Sequence, residues 1–190
     1  MARSNVDVCN SALQKVGSPP IASLSETSIK ARACSQAFDL VRRDLLSKYD
    51  WNFARKRVVL APDASQPPFG FKFVFTPPSD YLQAIIPDKR FCPVDWQFEG
   101  GKILSNMGDT LRLCYTADMN NASVWPAPFY NAMVCALAAD ICIQLTEDAG
   151  KKQQILTEFV NAVAEAKRAN AIVKPQYQRA INNWLHWRLT

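Results

Sequence analysis

Four carboxylates, Glu26, Asp95, Glu99 and Asp109, are the residues with which this chain could do acid–base chemistry. A pair of such groups flanking a glycosidic bond can act as general acid and as base or nucleophile. Acids are also common on protein surfaces, and a surface role is the simpler reading of all four. The chain has one histidine, His186, close to its end, and no Gly-rich phosphate loop, GxSxG elbow or HExxH helix. Its six cysteines include no CxxC pair, so no catalytic residue, cofactor site or metal site is expected. Cys9, Cys34, Cys135 and Cys142 fall among apolar neighbours on predicted helices, and Cys92 and Cys114 fall in a strand region. Cys135 and Cys142, seven apart on one helix face, read as small buried hydrophobes in a reducing cytoplasm. A peptidoglycan hydrolase is kept as the enzymatic alternative.

Binding chemistry is better represented. The run RDLLSKYDWNFARKR, Arg43 to Arg57, sets Arg43, Arg55, Lys56 and Arg57 around Trp51 and Phe53. Cations can meet phosphates and aromatics can stack bases. Strand alternation, however, sends Lys56 to the opposite face from Arg55 and Arg57. No helix-turn-helix spacing, zinc-finger cysteines or RNP-type strand accompanies them, which leaves non-specific DNA binding as a second alternative. Residues 174–190 form another aromatic and cationic set, with Tyr177, Arg179, Ile181, Trp184, Leu185, Trp187 and Arg188 and no acid. Ile181, Trp184, Leu185 and Arg188 can line one side of a short helix, and paired tryptophans commonly anchor a segment in a partner's pocket. These residues are expected to dock onto another protein; folding back onto their own body is the rival.

The elements that position these residues follow from periodicity. Residues 5–16 read as a short helix ended by Gly17. Ile29, Ala33, Ala37, Leu40 and Val41, with Cys34, Phe38 and Leu45 beside them, give one stripe of a helix over about 26–49. Ser25 or Thr27 would cap it, and Lys30, Gln36, Asp39, Arg42 and Arg43 would take the other face. Strands are expected at 72–75, 81–86, 91–94, 96–99, 102–104 and 111–115, forming one small antiparallel sheet over about 52–116. Gly100-Gly101 suits a two-residue hairpin and 106–109 a looser turn, while Thr76-Pro77-Pro78 cannot lie inside a central strand. Pro62 to Pro68 reads as an exposed loop. Two Ala-rich helices follow, over about 128–145 and 150–171. The first is apolar enough to suggest a membrane span, but Asp140 within it and Pro126 and Pro128 at its start favour a buried helix. No apolar run at the N-terminus resembles a signal peptide. The expected architecture is α+β, mainly α: a four-helix body, a small antiparallel β lobe inserted between the second and third helices, and an extended C-terminal tail. Residues 1–173 would form one domain and 174–190 a docking tail.

An ordered set of motifs within this frame carries a family resemblance. It comprises Cys9-Asn10-Ser11-Ala12-Leu13 before Val16-Gly17, Ser23-Leu24-Ser25-Glu26, Arg43-Asp44-Leu45-Leu46, and Trp51-Asn52-Phe53-Ala54-Arg55-Lys56-Arg57. Glu99-Gly100-Gly101-Lys102-Ile103-Leu104 and the Ala-rich helices after Trp125 extend it. Over residues of about 5 to 172 the chain resembles the tail tubular protein A family of tailed bacteriophages, the head-to-tail adaptors (connectors). That resemblance implies a structural protein without enzymatic activity, located in the tail neck of the virion after assembly in the host cytoplasm. It implies a dodecameric ring between the portal protein and the tail nozzle or a tail-completion protein. The ring would surround the DNA passage, with incidental non-specific DNA contact and no membrane. Docking to portal or neighbour then falls to Tyr177, Arg179, Trp184, Leu185, Trp187 and Arg188. Arg43, Trp51, Phe53, Arg55 and Arg57 form the subunit interface or junction.

Charge is distributed to suit two docking ends. Of the 22 basic and 17 acidic residues, ten basic and five acidic fall in residues 1–60, and two basic and five acidic in 126–165. Complementary patches of this sort steer encounter and fix register between partners. The free subunit is expected to be monomeric until the portal orders it.

Overall fold

A computed structural model describes residues 3–85, 96–106, 108 and 110–173 of the chain. The fold is α+β and mainly helical, with four α-helices and two small antiparallel sheets among the described residues. Helix α1 (Asn5–Val16) starts from a capping box, in which Ser4 Oγ accepts from the Asp7 amide and Asp7 accepts from the Ser4 amide. It stops at Gly17, whose φ of 79° gives the left-handed cap that a side chain would strain.

Helix α2 (Ile29–Lys48) begins later than the expected residue 26, because Ser28, not Ser25 or Thr27, caps it through the Ala31 amide. Residues 23–26 instead close a turn, with the Glu26 amide bonded to the Ser23 carbonyl and the Glu26 carboxylate accepting from the Ala22 amide. The buried stripe also differs from the expected one. Ile29 and Leu40 are 69% and 72% exposed, while Arg42, assigned to the polar face, is only 5% exposed and Leu46 is fully buried. The inward face extends toward Arg42 because Asp118 receives its guanidinium there, with Nε to Oδ1 at 2.8 Å and the second fork to Oδ2 at 2.9 Å. This two-point contact ties α2 to the end of the last strand.

The expected single sheet is two. Strands β1 (Arg55–Leu60), β6 (Leu111–Ala117) and β3 (Tyr81–Ala84) form one, in that order; β2 (Phe73–Phe75), β5 (Lys102–Ser105) and β4 (Trp96–Glu99) form the other. Thr76-Pro77-Pro78 lies where the chain passes from the second sheet to the first, since neither proline can donate to a ladder. Gly100 and Gly101, with φ of 56° and 77°, make the hairpin between β4 and β5. The expected looser hairpin at 106–109 is instead part of a crossing: β5 and β6 belong to different sheets, and β6 has β1 and β3 on its two edges. The expected strand at 91–94 lies outside the described residues.

Helices α3 (Ala127–Thr146) and α4 (Ala149–Val173) complete the chain. Helix α3 is long and apolar enough to cross a membrane by length and composition. It packs against α1, α2 and α4, and Asn131, Asp140 and Gln144 occupy its exposed side. The helices share one apolar cluster and the inner faces of the two sheets share another, built on Phe75, Ile103, Leu111, Leu113 and Tyr115. Met119 touches both clusters. Arg42, Asp118 and Met119 therefore mark the joint between the helical and sheet regions.

Candidate functional site

The corner after α2 is built from the aromatics of the Trp51-Asn52-Phe53 motif. Helix α2 gives way to extended backbone at Tyr49, and residues Asn52–Ala54 make one 3₁₀ turn into β1. Trp51 is buried and donates its indole N–H to the Leu45 carbonyl at 2.9 Å. Its ring meets Phe129 edge-on at 5.0 Å, and Phe53 meets the same ring at 4.7 Å, geometries that add to simple burial. Asn170, near the end of α4, closes the corner from outside. Its carboxamide oxygen accepts from the Asn52 amide at 2.8 Å and its NH₂ donates to the Asp50 carbonyl at 2.8 Å. Asn52 returns a bond from its own NH₂ to the Asn170 carbonyl at 2.7 Å. Trp51 and Phe53 thus plug the corner, and Asn170, which the sequence reading missed, latches it. Its only local signal is an amide among the small residues of a helix end.

The arginines of the motif have separate roles. Arg43 donates to Asp118 at 3.1 Å, joining the Arg42 clamp, and Arg55 pairs with Asp50 across the 3₁₀ turn. Lys56 points to the opposite face, as alternation requires, and bonds Asp80 at 2.7 Å. Asp80 also accepts from the Tyr115 hydroxyl at 2.9 Å. The Lys56 ammonium holds the Asp80 carboxyl below its ordinary range. Burial first and the Asp80 bond second push the Tyr115 phenol up to about 12. Arg57 is the one member of the motif's cations that makes no ion pair among the described residues.

Arg57 has company on its face. In the β1–β6 register Arg57 lies opposite Cys114 and Val59 opposite Arg112, so Arg57 and Arg112 are diagonal neighbours on one side of the sheet. Arg112 likewise has no ion pair among the described residues, and both side chains are exposed. With Arg55, Val59 and Ile85 they border a shallow open cavity of about 430 Å³. Two like charges on neighbouring sites of a sheet repel, and an anionic partner relieves that repulsion. Arg112 was missed from sequence, because only the strand pairing brings it beside Arg57.

Two of the four possible acid–base residues, Glu26 and Glu99, fall among the described residues, on different elements. Glu26 lies in the loop before α2, Glu99 stands opposite Lys102 at the β4–β5 turn, and Asp95 and Asp109 lie outside the described residues. Among the described residues no three His, Cys, Asp or Glu side chains come close enough together to hold a metal ion. Cys9, Cys34, Cys135 and Cys142 are buried free thiols; the Cys34 contact and burial push the Cys9 thiol up, and burial does the same to Cys135. The expected docking residues Tyr177, Arg179, Trp184, Leu185, Trp187 and Arg188 lie outside the described residues, as do Cys92 and His186.

A second surface lies on the far side of the corner. Phe53, Pro126, Pro128, Phe129, Ala169 and Val173 line an apolar groove of about 280 Å³, floored by Trp51 and the Asn52–Asn170 pair. It ends where α4 ends. No family model and no curated protein sequence matches the chain.

Proposed function

We propose that the chain is a structural protein of a tailed-phage virion, a head-to-tail adaptor of the tail tubular protein A type. In this reading it forms a dodecameric ring in the tail neck between the portal protein and the nozzle or tail-completion protein. The four helices are the rigid wall of the subunit, and the two sheets, inserted between α2 and α3, are a lobe offered to neighbours. The observation that carries the reading is the Trp51-Asn52-Phe53 corner. This motif of the resemblance is spent on fixing an angle, by rings against Phe129 and a three-bond latch to Asn170, and leaves Arg57 facing outward.

A ring needs two different surfaces that fit each other. One is the face with Arg57 and Arg112. The other would draw on the carboxylates of α3, α4 and the turn between them, where Asp140, Glu147 and Glu165 are exposed and make no ion pair among the described residues. Pairing of Arg57 and Arg112 with such carboxylates would give a head-to-tail register and disfavour like-to-like pairing. Residues 174–190 supply the portal contact, and no chemistry is required of the protein.

The test is assembly. Purified chain mixed with portal rings should give a complex of fixed stoichiometry by light scattering, and R57E with R112E should abolish neighbour contacts without unfolding the subunit. Unchanged assembly by the doubly reversed variant would remove the arginine face from the interface. Lysis in a peptidoglycan zymogram, lost with one carboxylate substitution, would replace the structural reading with the hydrolase. The same arginines favour a second reading, non-specific contact with DNA phosphates. That reading requires binding that weakens steeply with salt and is insensitive to sequence.

A further inference from the structure

The apolar groove beside the corner has a geometry that singles out its occupant. Its polar floor is already satisfied, because Asn52 and Asn170 bond each other and Asp50. What remains exposed is apolar, and it includes Val173 on the last described turn of α4, which is 72% exposed. The volume, about 280 Å³, falls at the lower limit of small-molecule sites, which begin at roughly 300 Å³. It suits one or two large side chains from a peptide.

We propose that in the free subunit this groove holds the chain's own residues 174–190, seated through Ile181, Trp184 and Leu185. Val173, the last described residue of α4, is part of the groove wall, so the remaining 17 residues are tethered at the site. Pro175, two positions on, is a residue before which helical backbone is disfavoured. Trp184 is eleven residues from Val173, a tether of at most about 40 Å when fully extended, ample to return to a groove that begins at its root. A short tether gives an effective concentration in the millimolar range, so even a weak site fills in cis before a second copy at micromolar concentration competes. The segment has no acidic side chain, and Ile181, Trp184 and Leu185 give it apolar surface for the groove. In an adaptor the same segment would then be released to a partner during assembly. The cis seat itself concerns only the isolated chain, so it can fail while the adaptor reading stands.

The experiment is limited trypsin digestion of the full-length protein, with cleavage after Arg179 followed by mass spectrometry. In the wild type this cleavage is slow and its rate constant is unchanged on tenfold dilution. In W184A it rises by about tenfold or more, since proteolysis of an opened segment follows its population and an anchoring tryptophan dominates such contacts. A169E, which puts a charge in the groove, has the same effect with unchanged far-ultraviolet circular dichroism. If A169E disturbs the fold, V173E serves, because Val173 is exposed on the groove wall. Equal rates in wild type, W184A and the groove variants overturn the proposal. Protection that disappears on dilution assigns the groove to a second copy's segment and overturns it too. Exposure by W184A but not by either groove variant places the segment elsewhere and does the same.

Discussion

Removing the carboxylate of Asp118 tests whether the helix–sheet joint is held by a buried charge. Asp118 accepts both forks of the Arg42 guanidinium, and the two side chains are 14% and 6% exposed. Breaking a buried pair from one side costs about 3–5 kcal/mol, because the remaining charge is left without compensation. Asp39 stays as a partner of Arg42, but it is 71% exposed and solvent screens it, which puts D118A near the lower end, at about 3 kcal/mol. The lost Arg43 contact adds little, since that side chain is mostly in water. With a urea slope of about 2 kcal/mol/M, the midpoint of unfolding followed by circular dichroism should fall by about 1.5 M. R42M fills the same space without a charge. Combined with D118A it should recover much of the loss, giving a coupling of about 2 kcal/mol in the double-mutant cycle. Additive effects, or a D118A cost under about 1 kcal/mol, would show that Arg42 is effectively solvated and that the joint is held by packing around Met119 instead.

Other perturbations address the remaining parts of the corner and the sheet face. N170A removes two of the three latch bonds and should cost about 1–3 kcal/mol in the same urea assay, as the Asn52 amide loses its partner. R57E with R112E should change stability by no more than about 0.5 kcal/mol while ending portal-dependent assembly, measured by light scattering, because both side chains are exposed and unpaired among the described residues. The phenol of Tyr115, ordinarily near 10.0, is raised to about 12 in the fold, so its contribution is complete below about pH 10 and is lost as pH rises through 12. A tyrosinate absorbance titration should show this late step, and Y115F should remove it. Asp80 has the opposite sign: its lowered carboxyl contributes above the ordinary carboxylate range and is lost as pH falls below it, so D80N should flatten the acid limb of the stability curve.

What the sequence makes legible is local. Both ends of α1 and α3, and the start of α4, fall within two residues of the periodic reading, because Ser4 with Asp7, Gly17, and the prolines at the start of α3 are signals that act over one turn. The start of α2 slips because Ser25, Thr27 and Ser28 are all competent caps, and the choice among them depends on where Glu26 finds a donor. The inward turn of Arg42 depends on Asp118, a residue 76 positions away, and no helical period reports it. The same limit hides Arg112, which joins Arg57 only through the β1–β6 register, and Asn170, which meets Asn52 across 118 residues. Splitting one expected sheet into two has a similar origin: short strands advertise their alternation but not their partners, and six of them can pair in many orders. The division has a consequence for the site. Residues that look alike in the run Arg55-Lys56-Arg57 end up as an internal pair to Asp50, a strut to Asp80 and an outward charge. Of the three, only Arg57 makes no ion pair among the described residues, so a charge reversal at Arg55 or Lys56 should act mainly on stability, and in the proposed ring one at Arg57 should act mainly on assembly.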